Sequence, residues 1–156
     1  MATITVGTNS YVTVTELENY ATDRGLSIAA ADPSVLLIQA MDYIETRSFK
    51  GSKTDPAQDL EWPRSGVYLN GTELDDTLVP DAVKSAQMTA ALIYDTGADL
   101  LGEVGPRVTQ ETVVGAVSVS YSDKGNQTTL YPKLTALLRS YLTNAGGGMS
   151  FEVRRG

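Results

Sequence analysis

The residues of this chain that could support acid–base or metal chemistry are carboxylates and lysines. The 156 residues include no His and no Cys, which excludes a Ser-His-Asp triad, a Cys nucleophile and the usual zinc ligands. The densest acidic group is Glu73 with Asp75 and Asp76. It could bind a divalent cation, but it lacks the spacing of a calcium loop, so a solvated acidic loop is the alternative. We predict no catalytic, cofactor-binding or metal-binding residues.

Two patterns that often bind nucleotides or nucleic acids are weak in this sequence. Three glycines at 97, 102 and 105 do not form a phosphate-binding loop, because no Gly-Lys-Ser/Thr or Gly-x-Gly-x-x-Gly motif is present. Several of the eight Tyr residues could stack bases, but four lie within apolar helical patterns and are better explained as packing residues. These four are Tyr20, Tyr43, Tyr94 and Tyr141.

The charge distribution disfavours broad nucleic-acid binding. The net charge is −7, with 16 acidic and 6 basic residues in 1–103 but 3 acidic and 6 basic residues in 104–156. Phosphate contacts need clustered Lys and Arg, and the longest basic run is Arg154-Arg155. The composition is typical of a soluble globular domain, and we expect no signal peptide and no membrane-spanning segment.

Four stretches carry the periodicity and end signals of helices. Thr13 and Glu16 form a predicted capping box, Asp32-Pro33 is a typical helix start, and Gly25 is a predicted helix stop. The predicted helices cover about residues 14–24, 33–48, 80–96 and 132–143.

The remaining segments connect these helices. Residues 50–79 are predicted to form a long irregular loop with a turn at Asn70-Gly71. Residues 108–114 and 117–121 have strand patterns. The predicted fold is therefore mainly α, a small bundle of about four helices with a long irregular loop and a short strand or hairpin insertion before the last helix. We expect a single domain over residues 1–145, followed by a flexible Gly hinge and docking tail over 146–156.

Two segments are predicted interface candidates. Trp62, Pro63 and Arg64 include the only Trp of the chain. They have two compatible interpretations: a plug, in which Trp62 fills a gap and Arg64 pairs with a carboxylate, or a subunit or partner contact. The tail is either disordered or a strand that orders on a neighbour, because apolar and charged residues alternate in it. Its candidate residues are Phe151, Val153, Arg154 and Arg155.

The order of several short motifs resembles phage head-tail connector (adaptor) proteins, many of which carry the label DnaT-like. The resemblance covers about residues 8–98, and its most specific piece is the Trp-Pro-Arg segment with an upstream Gln. The matching pieces are Ser10-Tyr11, Ala40-Met41-Asp42-Tyr43-Ile44, Phe49-Lys50-Gly51, Gln58-x-Leu60-x-Trp62-Pro63-Arg64 and Pro80.

This resemblance implies a structural virion protein without catalysis. It would be assembled in the host cytoplasm as a ring homo-oligomer, often of twelve copies, and would lie below the portal at the neck of the virion. Its partners would be the portal protein and a downstream neck or tail protein, with DNA only as passing cargo and no membrane. An acidic body is compatible with such a channel, because repulsion keeps the path from holding DNA.

The alternative function is single-stranded DNA binding in phage replication, to which the DnaT-like label points. A DNA-binding protein should show salt-sensitive affinity, whereas a connector should be a stoichiometric component of the virion. An enzyme is a third class, and no motif supports it.

Overall fold

The structure is a computed structural model in which the chain divides into two compact units. The first contains Met1–Leu100 with Pro132–Gly156, and the second contains Leu101–Tyr131. The domain boundary predicted at residue 145 lies outside the described residues and stays a prediction. The described residues are 1–102, 108–113, 117–121 and 131–143.

Four helices form where the sequence predicts them, although each is shorter than expected. The last helix is shortened most, because residues 139–143 turn away to pair with another segment. Among the described residues, no helix has the length and apolar character needed to cross a membrane. The helices are α1 (Val14–Thr22), α2 (Pro33–Glu45), α3 (Asp81–Asp95) and α4 (Pro132–Leu138).

Local signals fix both ends of α1 as predicted. Thr13 and Glu16 form the capping box: the Glu16 N–H donates to Thr13 Oγ1 at 3.2 Å, and the Thr13 N–H donates to Glu16 Oε2 at 2.7 Å. The bond from the Thr13 N–H and a further one from Thr13 Oγ1 to Glu16 Oε2 lower the pKa of the Glu16 carboxyl. At the other end, Gly25 has a φ of 67° and the Leu26 N–H donates to the Ala21 carbonyl, which is a glycine-terminated helix end.

Helices α2 and α3 pack against each other, α4 packs against α3, and α1 contacts both α2 and α3. Small residues at Ala40, Ala86 and Ala90 are fully buried in this core beside larger residues such as Leu37 and Ile44. Because Ala keeps side-chain volume small, the helix axes can approach closely.

Gln87 is a buried polar residue that ties three segments together. Its Oε1 accepts from the Tyr11 N–H at 2.9 Å, while its Nε2 donates to Ser10 Oγ at 2.8 Å and to the Leu37 carbonyl at 3.2 Å. A buried amide with its donors and acceptor satisfied specifies one arrangement of the groups around it. Gln87 therefore holds the N-terminal arm against α2 and α3.

The segment over residues 50–79 is more regular than predicted. It contains two short antiparallel pairs, β1 (Ser52–Lys53) with β2 (Arg64–Ser65) and β3 (Tyr68–Leu69) with β4 (Thr72–Glu73). The second pair is connected by the predicted Asn70-Gly71 turn, in which both residues have positive φ. Two-residue strands leave little alternation in the sequence, which is why strand patterns did not reveal them.

Gly51 is required where this segment begins. Its φ is 71°, and a Cβ built there would lie 2.2 Å from the Ser65 carbonyl oxygen. Backbone cannot yield at such a distance, so no other residue fits without displacing β2.

The second unit contains an antiparallel pair, β5 (Val108–Val113) and β6 (Val117–Tyr121). The register pairs Val113 with Val117 and Glu111 with Val119. This pair confirms the predicted hairpin insertion before the last helix. The bend predicted at Gly115 lies outside the described residues.

Candidate nucleic-acid interface

The sequence-predicted segment Trp62-Pro63-Arg64 lies largely inside the first unit. The Trp62 side chain is 1% exposed, and its ring makes edge-to-face contacts with Phe49 and Tyr141, each at a centroid distance of 5.7 Å. Edge-to-face contacts place the positive ring edge against a negative ring face and add to the burial energy. Trp62 thus joins the residues after α2 to those after α4.

Arg64 is buried, and its guanidinium donates to backbone carbonyls of a neighbouring segment. Its Nε donates to the Lys50 carbonyl at 2.8 Å, and its Nη2 donates to the Gly51 carbonyl at 2.8 Å. Its Nη1 forms an ion pair with the Glu61 carboxylate, which also pairs with Lys53 at 3.4 Å. These contacts balance the Arg64 charge within the protein, so little of that charge is exposed to solvent.

Tyr11 and Glu45 anchor the same segment from the other side. Tyr11 Oη donates to Glu45 Oε1 at 2.7 Å and accepts from the Trp62 N–H at 3.1 Å, while Glu45 Oε2 accepts from the Glu61 N–H at 2.8 Å. Burial raises the pKa of the Glu45 carboxyl, and burial together with the hydrogen bond to Glu45 raises the pKa of the Tyr11 hydroxyl.

The plug interpretation predicts these contacts: Trp62 fills the core and Arg64 pairs with a carboxylate. The second interpretation, in which Trp62, Pro63 and Arg64 contact a partner, stays a prediction. The tail candidates Phe151, Val153, Arg154 and Arg155 lie outside the described residues.

Glu73, Asp75 and Asp76 lie on the exposed side of the same segment. The Asp75 carboxylate accepts from the Thr77 N–H at 2.8 Å and from Thr77 Oγ1 at 2.6 Å, and these bonds lower its pKa. Within the described ranges, no group of three or more acidic side chains is arranged to hold a metal ion.

A second set of cations belongs to α4 and to the segments that contact it: Arg24, Lys133 and Arg139 are exposed, and Arg47 and Lys50 are half-buried. We name it the cationic face and define it by Arg24, Arg47, Lys50, Lys133 and Arg139. All five residues belong to the first unit, although they are scattered between positions 24 and 139 of the sequence.

One end of the cationic face is organised by Tyr20. The Arg24 guanidinium carbon lies 3.4 Å from the centre of the Tyr20 ring, and Lys133 Nζ lies 5.5 Å from the same point. Arg24 Nη1 also donates to the Tyr20 carbonyl at 3.0 Å. The ring itself is held by a 3.0 Å hydrogen bond between its hydroxyl and Thr89 of α3. A cation that follows α1 and a cation of α4 are thereby brought to one ring.

The other end is organised by the pairing of residues 48–50 with residues 141–143. Phe49 and Leu142 form an isolated antiparallel bridge, and Lys50 Nζ donates to the Ser140 carbonyl at 2.9 Å. Arg139 precedes Ser140 in the chain, and Arg47 stacks on Tyr43 at 4.0 Å. Lys50 is therefore held against the residues that follow α4, and Arg47 is held on the ring of Tyr43.

The cations of this face are not neutralised within the described part of the chain. The ion pairs formed by described residues involve only the N-terminal amine, Lys53 and Arg64. Residues 131–143 contain no Asp or Glu. Asp81 lies close enough to Tyr141 to add to burial in raising the pKa of that hydroxyl. Among the described residues, these five cations therefore have no carboxylate partner, on a protein whose net charge is −7.

Sequence reasoning missed the cationic face because it searched for runs of basic residues. The five cations come from three segments that only the fold brings together. The absence of acidic residues from 131–143 was the one local signal in the sequence that pointed to this surface.

A family model described as "Putative DnaT-like ssDNA binding protein" matches residues 2–156. Neither a search of curated proteins nor a search of solved structures gives a match.

The expected connector function is wrong, because the matching family is described by single-stranded DNA binding and not by head-tail joining. The expected twelve-copy ring, portal partner and neck partner are wrong for the same reason. The location at the virion neck is untested and stays a prediction.

The motifs behind that resemblance explain the error. Ser10, Tyr11, Met41, Phe49 and Trp62 are all buried, so they specify how the chain packs, and packing does not determine an activity. With residues 2–156 matched, the chain belongs to the family of DnaT-like single-stranded DNA-binding proteins.

Proposed function

We propose that this chain binds single-stranded DNA through the cationic face, without catalysing a reaction on it. The observation that carries the proposal is the grouping of five cations that have no carboxylate partner among the described residues. Lys and Arg side chains that are not neutralised internally can replace the counterions of phosphates, which supplies most non-specific affinity for DNA. The description of the family supports the same class of ligand.

The arrangement of the cations favours a flexible strand over a duplex. Lys133 and Arg139 are six residues apart, which separates them by about 120° around the axis of α4. A single strand can curve to meet both, whereas a duplex is stiff over tens of base pairs. In this proposal the four helices act as a small bundle that holds α4 at the surface.

The acidic body limits the strength of binding. A net charge of −7 repels a polyanion, but this repulsion is screened beyond about 10 Å at 0.1 M salt, while contacts at the face are screened less. We therefore expect a dissociation constant of about 10⁻⁴ to 10⁻⁶ M near 0.1 M salt, the range of non-specific binding. A role in phage replication, the wider context of this activity, stays a prediction.

Fluorescence anisotropy with a labelled oligo-dT strand of about 20 nucleotides tests the proposal. Lys133→Gln and Arg139→Gln should each weaken binding by about three- to ten-fold, because each removes a phosphate contact. Both side chains are exposed, so neither change should unfold the protein.

Lys84→Gln is the matched control. Lys84 lies on α3 outside the cationic face, where its charge lowers the pKa of Glu16, and its removal changes the net charge equally. Affinity should stay within about two-fold of the unmodified protein. Equal losses in all three variants, or no binding by the unmodified protein, would refute the proposal.

A further inference from the structure

We propose that the cationic face recognises the phosphodiester backbone alone. Its ligand class is a flexible polyanion whose charges have the spacing of phosphates in a nucleic-acid strand, and the bases do not stack on the protein. This inference rests on the proposed function and specifies its ligand. The usual alternative for single-strand binding is a platform of aromatic rings on which successive bases stack.

The rings nearest the cations are already covered. Tyr20 is 8% exposed, and the Arg24 guanidinium lies directly over its ring, with Lys133 also above it. The ring of Tyr43 carries the Arg47 guanidinium at 4.0 Å. A base would have to displace these cations before it could stack, and the strand would then lose the phosphate contacts that hold it.

Three other aromatic rings are used elsewhere in the protein. Tyr141 contacts Trp62 edge to face, and Trp62 is 1% exposed. Tyr68 is 56% exposed, but its hydroxyl donates to the Glu73 carboxylate at 3.2 Å, in an acidic neighbourhood that repels phosphates. None of these three rings suits base stacking beside the cationic face.

The guanidinium of Arg24 is instead held in a position from which it can bind a phosphate. Arg24 is fixed by the Tyr20 ring below it and by its hydrogen bond to the Tyr20 carbonyl. Only one of its five N–H donors is used in that bond. Because the guanidinium is already held in place, binding a phosphate costs less side-chain entropy than it would for a free Arg.

A competition experiment separates backbone recognition from base stacking. A labelled oligo-dT strand of about 12 nucleotides is displaced either by unlabelled oligo-dT or by an abasic strand with the same number of phosphates. We expect the two competitors to have dissociation constants within about two-fold of each other. If oligo-dT binds and the abasic strand is at least about ten-fold weaker, this inference fails while the proposed function stands. If neither strand binds, the proposed function itself fails.

Ring-deletion variants give a second readout that does not depend on overall affinity. In Tyr43→Leu, loss of the ring releases Arg47, so both competitors should weaken equally and their ratio should stay near one. Tyr131→Leu tests a half-buried Tyr that directly precedes α4 in the sequence and belongs to the second unit. In this variant the ratio of the two competitors' dissociation constants should also stay near one. A loss confined to oligo-dT in either variant overturns the inference. Circular dichroism and urea unfolding confirm that each variant is folded.

Discussion

Arg64 and Arg139 carry the same side chain in opposite surroundings. Arg64 is 7% exposed, paired with Glu61 and bonded to backbone carbonyls, whereas Arg139 is exposed and has no acidic partner in the described part of the chain. The first cation holds the fold together, and the second remains available to a ligand. A conspicuous motif can thus serve packing, while dispersed residues form the surface that we propose for binding.

The largest loss of stability is expected from a substitution at Trp62. Trp62→Ala removes a ring that joins Phe49 to Tyr141 and leaves a cavity in the core. We expect the free energy of unfolding, measured in urea, to fall by about 3–5 kcal/mol. Leu78→Ala truncates a side chain that is 60% exposed and should cost less than about 0.5 kcal/mol. Equal losses would contradict the assignment of Trp62 to the core.

A matched pair of Arg variants tests the different roles of Arg64 and Arg139. Arg64→Met leaves the Lys50 and Gly51 carbonyls without their donor, so we expect a loss of about 2–3 kcal/mol in unfolding free energy. Arg139→Met should cost less than about 0.5 kcal/mol, because its side chain is exposed. Oligo-dT affinity should show the reverse order when it is corrected for the folded fraction. A stable Arg64→Met protein with reduced affinity would invert the two roles.

Tyr11 tests how the buried segment is anchored. Tyr11→Phe removes the acceptor of the Trp62 N–H and the donor to Glu45, so we expect a loss of about 1–2 kcal/mol by urea unfolding. Tyr68→Phe makes the same chemical change at an exposed hydroxyl bonded to Glu73 and should change stability by less than about 0.5 kcal/mol. The anchoring role would be wrong if the two variants behaved alike.

The smallest expected effect is a pH dependence at the start of α1. The folded-state pKa of Glu16 is lowered by its hydrogen bonds to Thr13, so its contribution is present above the unfolded pKa and is lost as the pH falls through the folded pKa. Glu16→Gln should therefore be less stable near pH 7, by about 0.5 kcal/mol, with the difference shrinking in acid. Thermal unfolding from pH 7 to pH 3 measures it. A difference that grows in acid would contradict the assigned sign.

Local signals in the sequence predicted much of the fold. The Thr13 and Glu16 capping box, the Asp32-Pro33 start and the Gly25 stop act within one or two turns of helix, so neighbouring residues specify them. The end of α4 was not predictable in this way. It depends on the pairing of Phe49 with Leu142, which are far apart in the sequence.

From the sequence, one could predict only that Lys and Arg residues were present, and not that the fold groups them. Arg24 and Arg139 form no ion pair with another described residue. That depends on what surrounds them in space, and no pattern of neighbouring residues encodes it. The resemblance also misled functional interpretation, because the residues that carried it, such as Tyr11 and Trp62, are buried packing residues.

The salt dependence of oligo-dT binding is the most direct test of whether the cationic face binds phosphates. If all five cations contact phosphates, a plot of log affinity against log salt concentration should have a slope of about −3.5, since each contact on a single strand contributes about −0.7. The triple variant Arg24→Gln, Lys133→Gln and Arg139→Gln should reduce that slope to about −1.4. An unchanged slope in the triple variant, or affinity that does not respond to salt, would contradict binding through the cationic face.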